Sequence, residues 1–230
     1  MKTDLPGIAI RDFYENNLQS ELFVHDKFGV PTEMPVEIYF RKFDEMPEIE
    51  QKALELCSGK ILDVGAGAGS HALHLQENSA DVSALEISPN SCEVMRRRGV
   101  RNVLCEDFFR INPTEKFGTI LLLMNGIGIC GDLEGFRKFL QKAESLLERG
   151  GKILFDSCDI LYMYETAPLP THYYGQASVR YEYAAQFTDW FSWLYIDKKM
   201  MSHIAEKCGW KPEIILEDGN FQYLASLVRK

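Results

Sequence analysis

The sequence lacks a cysteine pattern typical of a metal site, although it has six cysteines among its 230 residues. No two of them form a CxxC pair, and no cysteine and histidine lie at the spacing typical of zinc ligands. We therefore expect no metal site and reduced thiols, as in a cytoplasmic protein. The six cysteines are Cys57, Cys92, Cys105, Cys130, Cys158 and Cys208.

Long apolar runs are also absent. Met1–Asp12 lacks the apolar stretch that follows a basic start in a signal peptide. No segment approaches the roughly 20 apolar residues that a membrane-spanning helix needs. We therefore expect neither a signal peptide nor a membrane partner.

Positive charge is scarce, since 25 lysines and arginines face 34 acidic residues and leave a formal net charge of −9. Proteins that bind nucleic acid through its phosphates usually present a basic surface, so nucleic acid is not an expected partner. One basic cluster falls at the end of a predicted helix, where it favours interaction with the helix dipole. Its members are Arg96, Arg97, Arg98 and Arg101.

The composition that is present, 46% hydrophobic and 26% charged, is typical of a globular domain with a core. Residues 1–58 are predicted to form a helical N-terminal lid segment, which Pro31, Pro35 and Pro47 divide into short pieces. Residues 59–230 are predicted to form the main domain. An aromatic-rich region is inserted in it at about 157–196.

From residue 59 the pattern alternates between short apolar runs and amphipathic segments, which predicts parallel strands joined by helices. A final pair of strands, Glu213–Leu216 and Phe221–Val228, flanks Asp218-Gly219 and predicts an antiparallel hairpin. Predicted helices follow Gly69, Ser88-Pro89 and Asp132, and the last of these is expected to end at Gly150-Gly151. The predicted parallel strands are Lys60–Val64, Asp81–Ile87, Val103–Glu106, Thr119–Met124 and Lys152–Asp156.

A glycine-rich loop, Asp63–Ser70, leaves the first of these strands and opens a helix. Gly65 allows a tight turn and Gly67 allows a ligand to approach the backbone. Glu86 ends the next strand, 21 residues after Gly65, where an acid meets a ribose diol in such folds. Loop, acid and strand–helix–strand context together predict a nucleotide-like cofactor.

Two cofactor classes fit this loop. The nicotinamide fingerprint GxGxxG has its third glycine where this chain has Ser70. Asp63, two residues before the first glycine, can meet a cationic amino group, which a methionine moiety has and a nicotinamide cofactor lacks. The loop therefore favours a methionine-bearing cofactor, with an NAD(P)-dependent enzyme as the alternative.

These motifs resemble those of class I S-adenosylmethionine-dependent methyltransferases. Asp63-Val64-Gly65-Ala66-Gly67 is similar to the first motif of that family, and Cys105-Glu106-Asp107-Phe108 to its third-strand acidic motif. Leu123–Ile127 and Arg149–Lys152 match the positions of its fourth-strand motif and the turn before its fifth strand. The resemblance covers about residues 60–156. Weaker similarity at Tyr39-Phe40-Arg41 and Gly126-Ile127-Gly128 points to a branch of small, uncharacterised proteins.

The resemblance implies an α/β fold, namely a Rossmann-like, doubly wound and mostly parallel sheet of seven strands with an antiparallel C-terminal hairpin. It implies that S-adenosylmethionine is the cofactor and that Asp63 holds its ammonium group. Glu86 would accept from the ribose, Asp107 and Phe108 would contact adenine, and Arg41 would pair with the cofactor carboxylate or with a surface carboxylate. The full implied set is Arg41, Asp63, Gly65, Ala66, Gly67, Glu86, Ile87, Asp107, Phe108, Asn125 and Gly126.

Methyl transfer from a sulfonium is an in-line displacement that requires no metal and no covalent residue. We expect a small-molecule acceptor against the inserted region, with His172 and Glu165 as candidate bases. Met124-Asn125-Gly126-Ile127 differs from the Asn/Asp-Pro-Pro-aromatic motif of many enzymes that methylate exocyclic or amide nitrogen. A protein or RNA methyltransferase and a non-catalytic binding protein on the same fold remain alternatives.

Overall fold

The computed structural model of the protein describes residues 4–27, 29–165 and 168–230. In these ranges the helices are α1 (Leu5–Tyr14), α2 (Glu48–Leu56), α3 (Ser70–Glu77), α4 (Pro89–Arg98), α5 (Leu133–Leu146) and α6 (Lys198–Lys207). The strands are β1 (Phe23–His25), β2 (Thr32–Glu33), β3 (Ile61–Val64), β4 (Val82–Glu86), β5 (Val103–Cys105), β6 (Phe117–Leu122), β7 (Leu147–Cys158), β8 (Gln176–Tyr183), β9 (Gln186–Phe187), β10 (Phe191–Leu194), β11 (Trp210–Glu217) and β12 (Gln222–Arg229).

Within the described residues, seven strands form the main sheet in the order β11–β12–β7–β6–β3–β4–β5. Pairing is parallel from β7 to β5, whereas β12 runs antiparallel to both β7 and β11. This arrangement confirms the predicted Rossmann-like fold with its antiparallel C-terminal hairpin. None of the described helices has both the length and the apolar character needed to cross a membrane.

The centre of the main sheet is covered by helices on both faces. Every residue of β3 and β6 is buried, as expected for strands between two helical layers. Residues of α5 and α6 share one apolar core with the sheet, and those of α2, α3 and α4 share the other. Because β3, β4, β5 and β6 run parallel, their carboxyl ends lie at one edge of the sheet.

The helix that begins after Asp132 ends earlier than the sequence predicts. The Asp132 carboxylate accepts a hydrogen bond from the Gly135 N–H at 2.7 Å, as expected for an N-cap. However, α5 ends at Leu146, and Leu147 already pairs with Phe117. Gly150, at φ +81°, lies inside β7. Gly150 therefore belongs to an irregularity of the strand and does not terminate the helix.

The N-terminal segment also differs from the all-helical prediction, because it contains β1 and β2 as well as α1 and α2. Within the described residues a second sheet has the order β10–β8–β1–β2, with β9 paired to β8. Its register joins Val24 to Tyr181 across more than 150 residues of sequence. The N-terminal segment and the inserted region thus build one layer, which we call the roof sheet (β1, β2, β8, β9 and β10).

Polar contacts attach the N-terminal segment to the main domain. The carboxylate of Asp4 accepts hydrogen bonds from the Ser88 hydroxyl at 2.6 Å and from the Asn90 amide at 2.9 Å. The Tyr183 hydroxyl of β8 donates to the Asp12 carboxylate of α1 at 3.0 Å. Helix α1 consequently links α4 to the roof sheet.

Candidate cofactor and acceptor site

A cavity of about 540 Å³ lies between the carboxyl ends of the main-sheet strands and the roof sheet. Its position next to the point where the strand order reverses is the usual ligand site of doubly wound folds. All eleven residues that the sequence assigned to the cofactor line it: Arg41, Asp63, Gly65, Ala66, Gly67, Glu86, Ile87, Asp107, Phe108, Asn125 and Gly126.

The glycine loop gives this cavity a floor of exposed backbone. Gly65 has φ +75°, and a Cβ built on it would meet no atom within 4 Å, so its space is open to a ligand. Gly67 has φ +56°, and a Cβ there would lie 2.9 Å from the ring of Tyr39. Tyr39 therefore packs on the loop from the N-terminal segment.

Two buried acceptor oxygens beside the loop are left without a partner among the described residues: Oδ2 of Asp63 and Oδ1 of Asn125. Asp63 is 1% exposed, and burial raises its pKa to about 6. Buried polar atoms are normally hydrogen-bonded. Because both orphan atoms are acceptors, the residues fit a cationic donor such as the ammonium group of a methionine moiety.

Glu86 is held in place by backbone donors. Its Oε2 accepts from the Gly67 N–H at 3.0 Å and its Oε1 accepts from the Ser88 N–H at 2.9 Å. Burial raises its pKa, although these two hydrogen bonds oppose the shift. Each carboxylate oxygen keeps a second lone pair, so Glu86 can still accept from a ribose diol. The next residue, Ile87, is 68% exposed and offers an apolar surface beside it.

The acidic motif after β5 forms the rim of the same cavity. Asp107 Oδ1 accepts from the Phe109 N–H at 2.9 Å, which fixes the local turn. The ring of Phe108 is 4% exposed and packs 4.9 Å from that of Phe139, so it faces the core. Glu106, which belongs to the quoted motif but was assigned no role, and Phe109, which was not named, also line the cavity. Their closeness to Asp107 in the sequence was the signal that could have identified them.

Arg41, partly buried, makes an ion pair with the buried Glu50 and not with a surface carboxylate. Its Nη2 lies 2.7 Å from Oε1 of Glu50, and its Nε donates to the Ile38 carbonyl at 3.0 Å. His71, which the sequence did not mark as a site residue, is buried with Nε2 2.8 Å from Oε2 of Glu50. Both Arg41 and His71 line the cavity. Arg41 retains N–H groups that can meet a cofactor carboxylate.

In this network, the positive charges of Arg41 and His71 stabilise the negative charge of Glu50, and Glu50 stabilises the positive charge of His71. Burial alone would raise the pKa of Glu50, but His71 and Arg41 outweigh it and hold that pKa below its ordinary value. Burial would lower the pKa of His71, yet the hydrogen bond to Glu50 and the charge of Asp63 raise it overall. An imidazolium between two carboxylates is the arrangement that these shifts favour.

Asp156 supports the turn after β6. Its two carboxylate oxygens each lie 3.0 Å from the Asn125 N–H. Met124 and Asn125 have φ values of +58° and +54°, an unfavourable conformation that this contact helps to maintain. Burial raises the pKa of Asp156 to about 7. From the sequence, Asp156 is expected only to end a strand, and its contact with the turn was not predicted.

The two candidate bases do not reach the cavity. His172 and Glu165 are exposed and are not among its lining residues. His172 Nε2 instead lies 3.3 Å from the Gln176 carbonyl. Tyr181, Trp193 and Tyr195 line the cavity above the cofactor floor. The sequence did not mark Trp193 or Tyr195 as candidate site residues.

Comparison with known proteins gives a consistent result. A family model described as a methyltransferase domain matches residues 61–151. The crystal structure of a SAM-dependent methyltransferase from Bacteroides fragilis, in complex with S-adenosyl-L-homocysteine, is 42% identical with a TM-score of 0.91. The alignment covers 98% of this chain and 94% of that chain. A comparison with curated protein sequences finds no match.

More distant structures share the fold alone. The CcbJ methyltransferase from Streptomyces caelestis is 13% identical with a TM-score of 0.63, over 81% of this chain and 94% of that chain. The sugar N-methyltransferase KedS8 from a Streptoalloteichus species is 16% identical with a TM-score of 0.62, over 90% and 97%.

The NAD(P) alternative is therefore set aside, since the cavity has orphan acceptors for an ammonium group and the similar structure from Bacteroides fragilis was crystallised with an adenosyl ligand. On its motifs, its cavity and 42% identity along nearly the whole of both chains, the protein belongs to the class I S-adenosylmethionine-dependent methyltransferases and uses S-adenosylmethionine as its cofactor.

Proposed function

We propose that this methyltransferase acts on a small-molecule acceptor, which binds between the cofactor and the roof sheet. The main support for this proposal is that the roof sheet covers the cavity. Val24 of β1, Tyr181 of β8 and Trp193 of β10 all line the cavity from above. A cavity of about 540 Å³ covered in this way suits a compact molecule better than a folded macromolecule.

The basic cluster at the end of α4 gives little support to an RNA substrate. Arg97 lies 2.6 Å from Oε1 of Glu15 and stacks on Tyr14. Arg98 donates to the Ala68 carbonyl at 2.6 Å and lies over the Phe40 ring. These two arginines therefore hold the N-terminal segment and the glycine loop in place.

The side chains of the cavity have positioning roles in the reaction. Bound S-adenosylmethionine supplies an activated methyl group on a sulfonium. Asp63 and Asn125 offer acceptors to the ammonium end, and Glu86 offers oxygens to the ribose. The roof sheet excludes water from the space in which the acceptor approaches. Alignment and desolvation of the nucleophile are the main contributions a protein makes to such a displacement.

The cofactor part is tested by isothermal titration with S-adenosylmethionine, S-adenosylhomocysteine and NADPH. We expect binding of the two adenosyl ligands only, weakened at least about tenfold in Glu86→Ala, because the variant loses the acceptor for the ribose and the contact to Gly67. Glu93→Ala, an exposed acid on α4, is the matched control and should bind like wild type.

The acceptor part is tested with radiolabelled methyl donor. The protein is incubated with a cell extract separated into small-molecule, protein and RNA fractions. Label in the small-molecule fraction, lost in Glu86→Ala, is the expected result. Label confined to protein or RNA would contradict a small-molecule acceptor and leave the cofactor assignment untouched.

A further inference from the structure

One face of the roof sheet points towards the cofactor. Side chains alternate between the two faces of a strand, and residues directly paired on adjacent strands share a face. Tyr181 is paired with Val24, and two residues before it Val179 is paired with Phe191. Trp193 follows Phe191 by two residues. The inner face therefore carries Val24, Val179, Tyr181, Phe191 and Trp193.

The indole of Trp193 is fixed between this face and the turn after β6. A Cβ built on Gly128 would lie 2.0 Å from its Nε1, so the ring lies directly against the backbone of that turn. On the other side, the Phe191 ring meets it edge-on at 6.2 Å and 80°. Gly128 follows Asn125 and Gly126, which line the methionine end of the cofactor site. Trp193 thus presents an aromatic surface on the acceptor side.

Two tyrosine hydroxyls complete this side of the cavity. The side-chain oxygens of Tyr181 and Tyr195 make no hydrogen bond to any other described residue. Burial raises the pKa of each phenol to about 12. Both hydroxyls are therefore neutral hydrogen-bonding groups and neither is a base at physiological pH.

The charge of the cavity disfavours an anionic acceptor. Its two lining cations, Arg41 and His71, both contact Glu50. Carboxylates outnumber them among the described lining residues: Asp4, Glu50, Asp63, Glu86, Glu106 and Asp107. Opposite charges attract strongly where solvent is scarce, so the cavity favours a cationic or neutral ligand.

We propose that the acceptor is a small amine, methylated on nitrogen, and that Tyr181, Trp193 and Tyr195 form the surface that selects it. This inference rests on the proposed transfer to a small molecule. Aromatic faces attract cations, with tryptophan the most effective. An alcohol would need a base to remove its proton, and a thiol reacts as its thiolate, which the carboxylates disfavour.

The reaction of an amine suits this surface. An amine that arrives protonated first gives its proton to water, and the neutral amine then gives its lone pair to the methyl carbon. The N–C bond forms as the C–S bond breaks. The electron pair of the broken bond stays on sulfur, and the positive charge passes from sulfur to nitrogen. A proton on the methylated nitrogen then leaves to water. Because the charge moves towards Trp193 and the two tyrosines, the aromatic surface stabilises it as it forms.

The test uses benzyltrimethylammonium, a stable cation that resembles a methylated amine, and benzylsulfonate, an anion of similar size. Each is titrated into the protein saturated with S-adenosylhomocysteine. We expect the cation to bind and the anion to bind at least about tenfold more weakly. Trp193→Leu should weaken binding of the cation by about tenfold or more.

Trp190→Leu is the matched control, because Trp190 is 42% exposed and stacks with Arg180 and Lys27 away from the lining residues. It should leave binding of the cation within about twofold of wild type. If Trp193→Leu does not fold, as judged by loss of S-adenosylhomocysteine binding, Tyr181→Leu takes its place, with a loss of about fivefold expected.

The possible outcomes distinguish failure of the amine assignment from failure of the proposed methyltransferase function. Binding of S-adenosylhomocysteine together with equal or tighter binding of the anion would overturn the amine assignment and leave a small-molecule methyltransferase. An unchanged affinity for the cation in the folded Trp193 or Tyr181 variant would also overturn it. Failure to bind S-adenosylhomocysteine at all would instead contradict the function on which the inference rests.

Discussion

At the residue scale, Asp63 combines deep burial with an oxygen that has no partner among the described residues. Asp63→Asn keeps the shape and removes the charge. We expect it to weaken S-adenosylhomocysteine binding by about tenfold or more near neutral pH, the range for a hydrogen bond to a charged group. Since the pKa of Asp63 is about 6, the wild-type affinity should fall as the pH drops below that value, when the carboxylate becomes protonated.

Isothermal titration at about pH 5 and pH 7.5 checks this prediction. The Asn variant should lack the part of the pH dependence that Asp63 causes. Asp81→Asn, with a side chain 68% exposed beside Lys60, is the control and should behave like wild type. Identical pH profiles for wild type and Asp63→Asn would show that Asp63 does not hold the ammonium group.

The lack of a side chain at Gly128 leaves room for the indole of Trp193. A methyl group there would overlap the indole of Trp193, so Gly128→Ala should destabilise the protein by about 1–3 kcal/mol, as for an overpacked core. Urea unfolding measures the loss. Gly219→Ala, where a Cβ would meet nothing within 4 Å, should stay within about 0.5 kcal/mol of wild type. Equal stabilities for the two variants would mean that Trp193 moves aside freely.

At the scale of elements, the contacts of Glu50 join α2 to α3 through His71 and to the N-terminal segment through Arg41. Glu50→Gln would leave the buried His71 and the partly buried Arg41 without their carboxylate. We expect a loss of about 3 kcal/mol in the free energy of unfolding near pH 6. Glu55→Gln, on the exposed side of the same helix, is the matched control and should cost less than about 0.5 kcal/mol.

The pH dependence of this loss has a defined sign. The folded pKa of Glu50 lies below its ordinary 4.5, so its contribution is present above that value and disappears as the pH falls through the folded pKa. The folded pKa of His71 lies above its ordinary 6.5, so its contribution is present below that value and disappears as the pH rises through the folded pKa. Urea unfolding should therefore show the largest gap between wild type and Glu50→Gln between these two values. A gap that keeps growing above pH 8 would contradict the imidazolium.

The elements that could be predicted from sequence are those with local signals. Two buried strands, β3 and β6, are short apolar runs, and Ser88-Pro89 and Asp132 mark helix starts that the structure confirms. The roof sheet had no such signal, because β1 and β2 are only 3 and 2 residues long. They are strands because β8 pairs with β1, and that pairing depends on residues far away in the sequence.

In the site, too, residues with local sequence signals could be predicted, and residues placed by distant contacts could not. Asp63 and Glu86 could be predicted together, because parallel strands end at one edge of the sheet. Asp107 was implied by the resemblance of its motif to that of the family. His71 could not be predicted, since its burial depends on Glu50 and Arg41 from the N-terminal segment. Trp193 likewise reaches the cavity only because the roof sheet folds back over it. Residues 166 and 167, in the inserted region, lie outside the described residues.

At the scale of the whole molecule, the N-terminal segment is attached to the rest of the fold by strand pairing and hydrogen bonds. These contacts disfavour its opening as a mobile lid. Strand β1 has a pairing partner on each side, and Asp4, in front of α1, bonds to Ser88 and Asn90 of the main domain. Opening this segment would break both sets of contacts. We therefore expect the roof to be formed before the cofactor binds.

Hydrogen exchange followed by mass spectrometry tests this expectation. Without S-adenosylhomocysteine, the peptide that contains Phe23–His25 should exchange at least about a hundredfold more slowly than the hairpin turn at Asp218–Phe221, because paired strands open only by breaking both pairings. Saturation with the ligand should add protection mainly at Asp63–Ser70 and around Glu86, where the ligand contacts backbone. If Phe23–His25 instead exchanged as fast as the turn and became protected only with ligand, the segment would be a lid that closes on binding. The acceptor would then enter before the roof forms, and its size would be limited by the closed cavity alone.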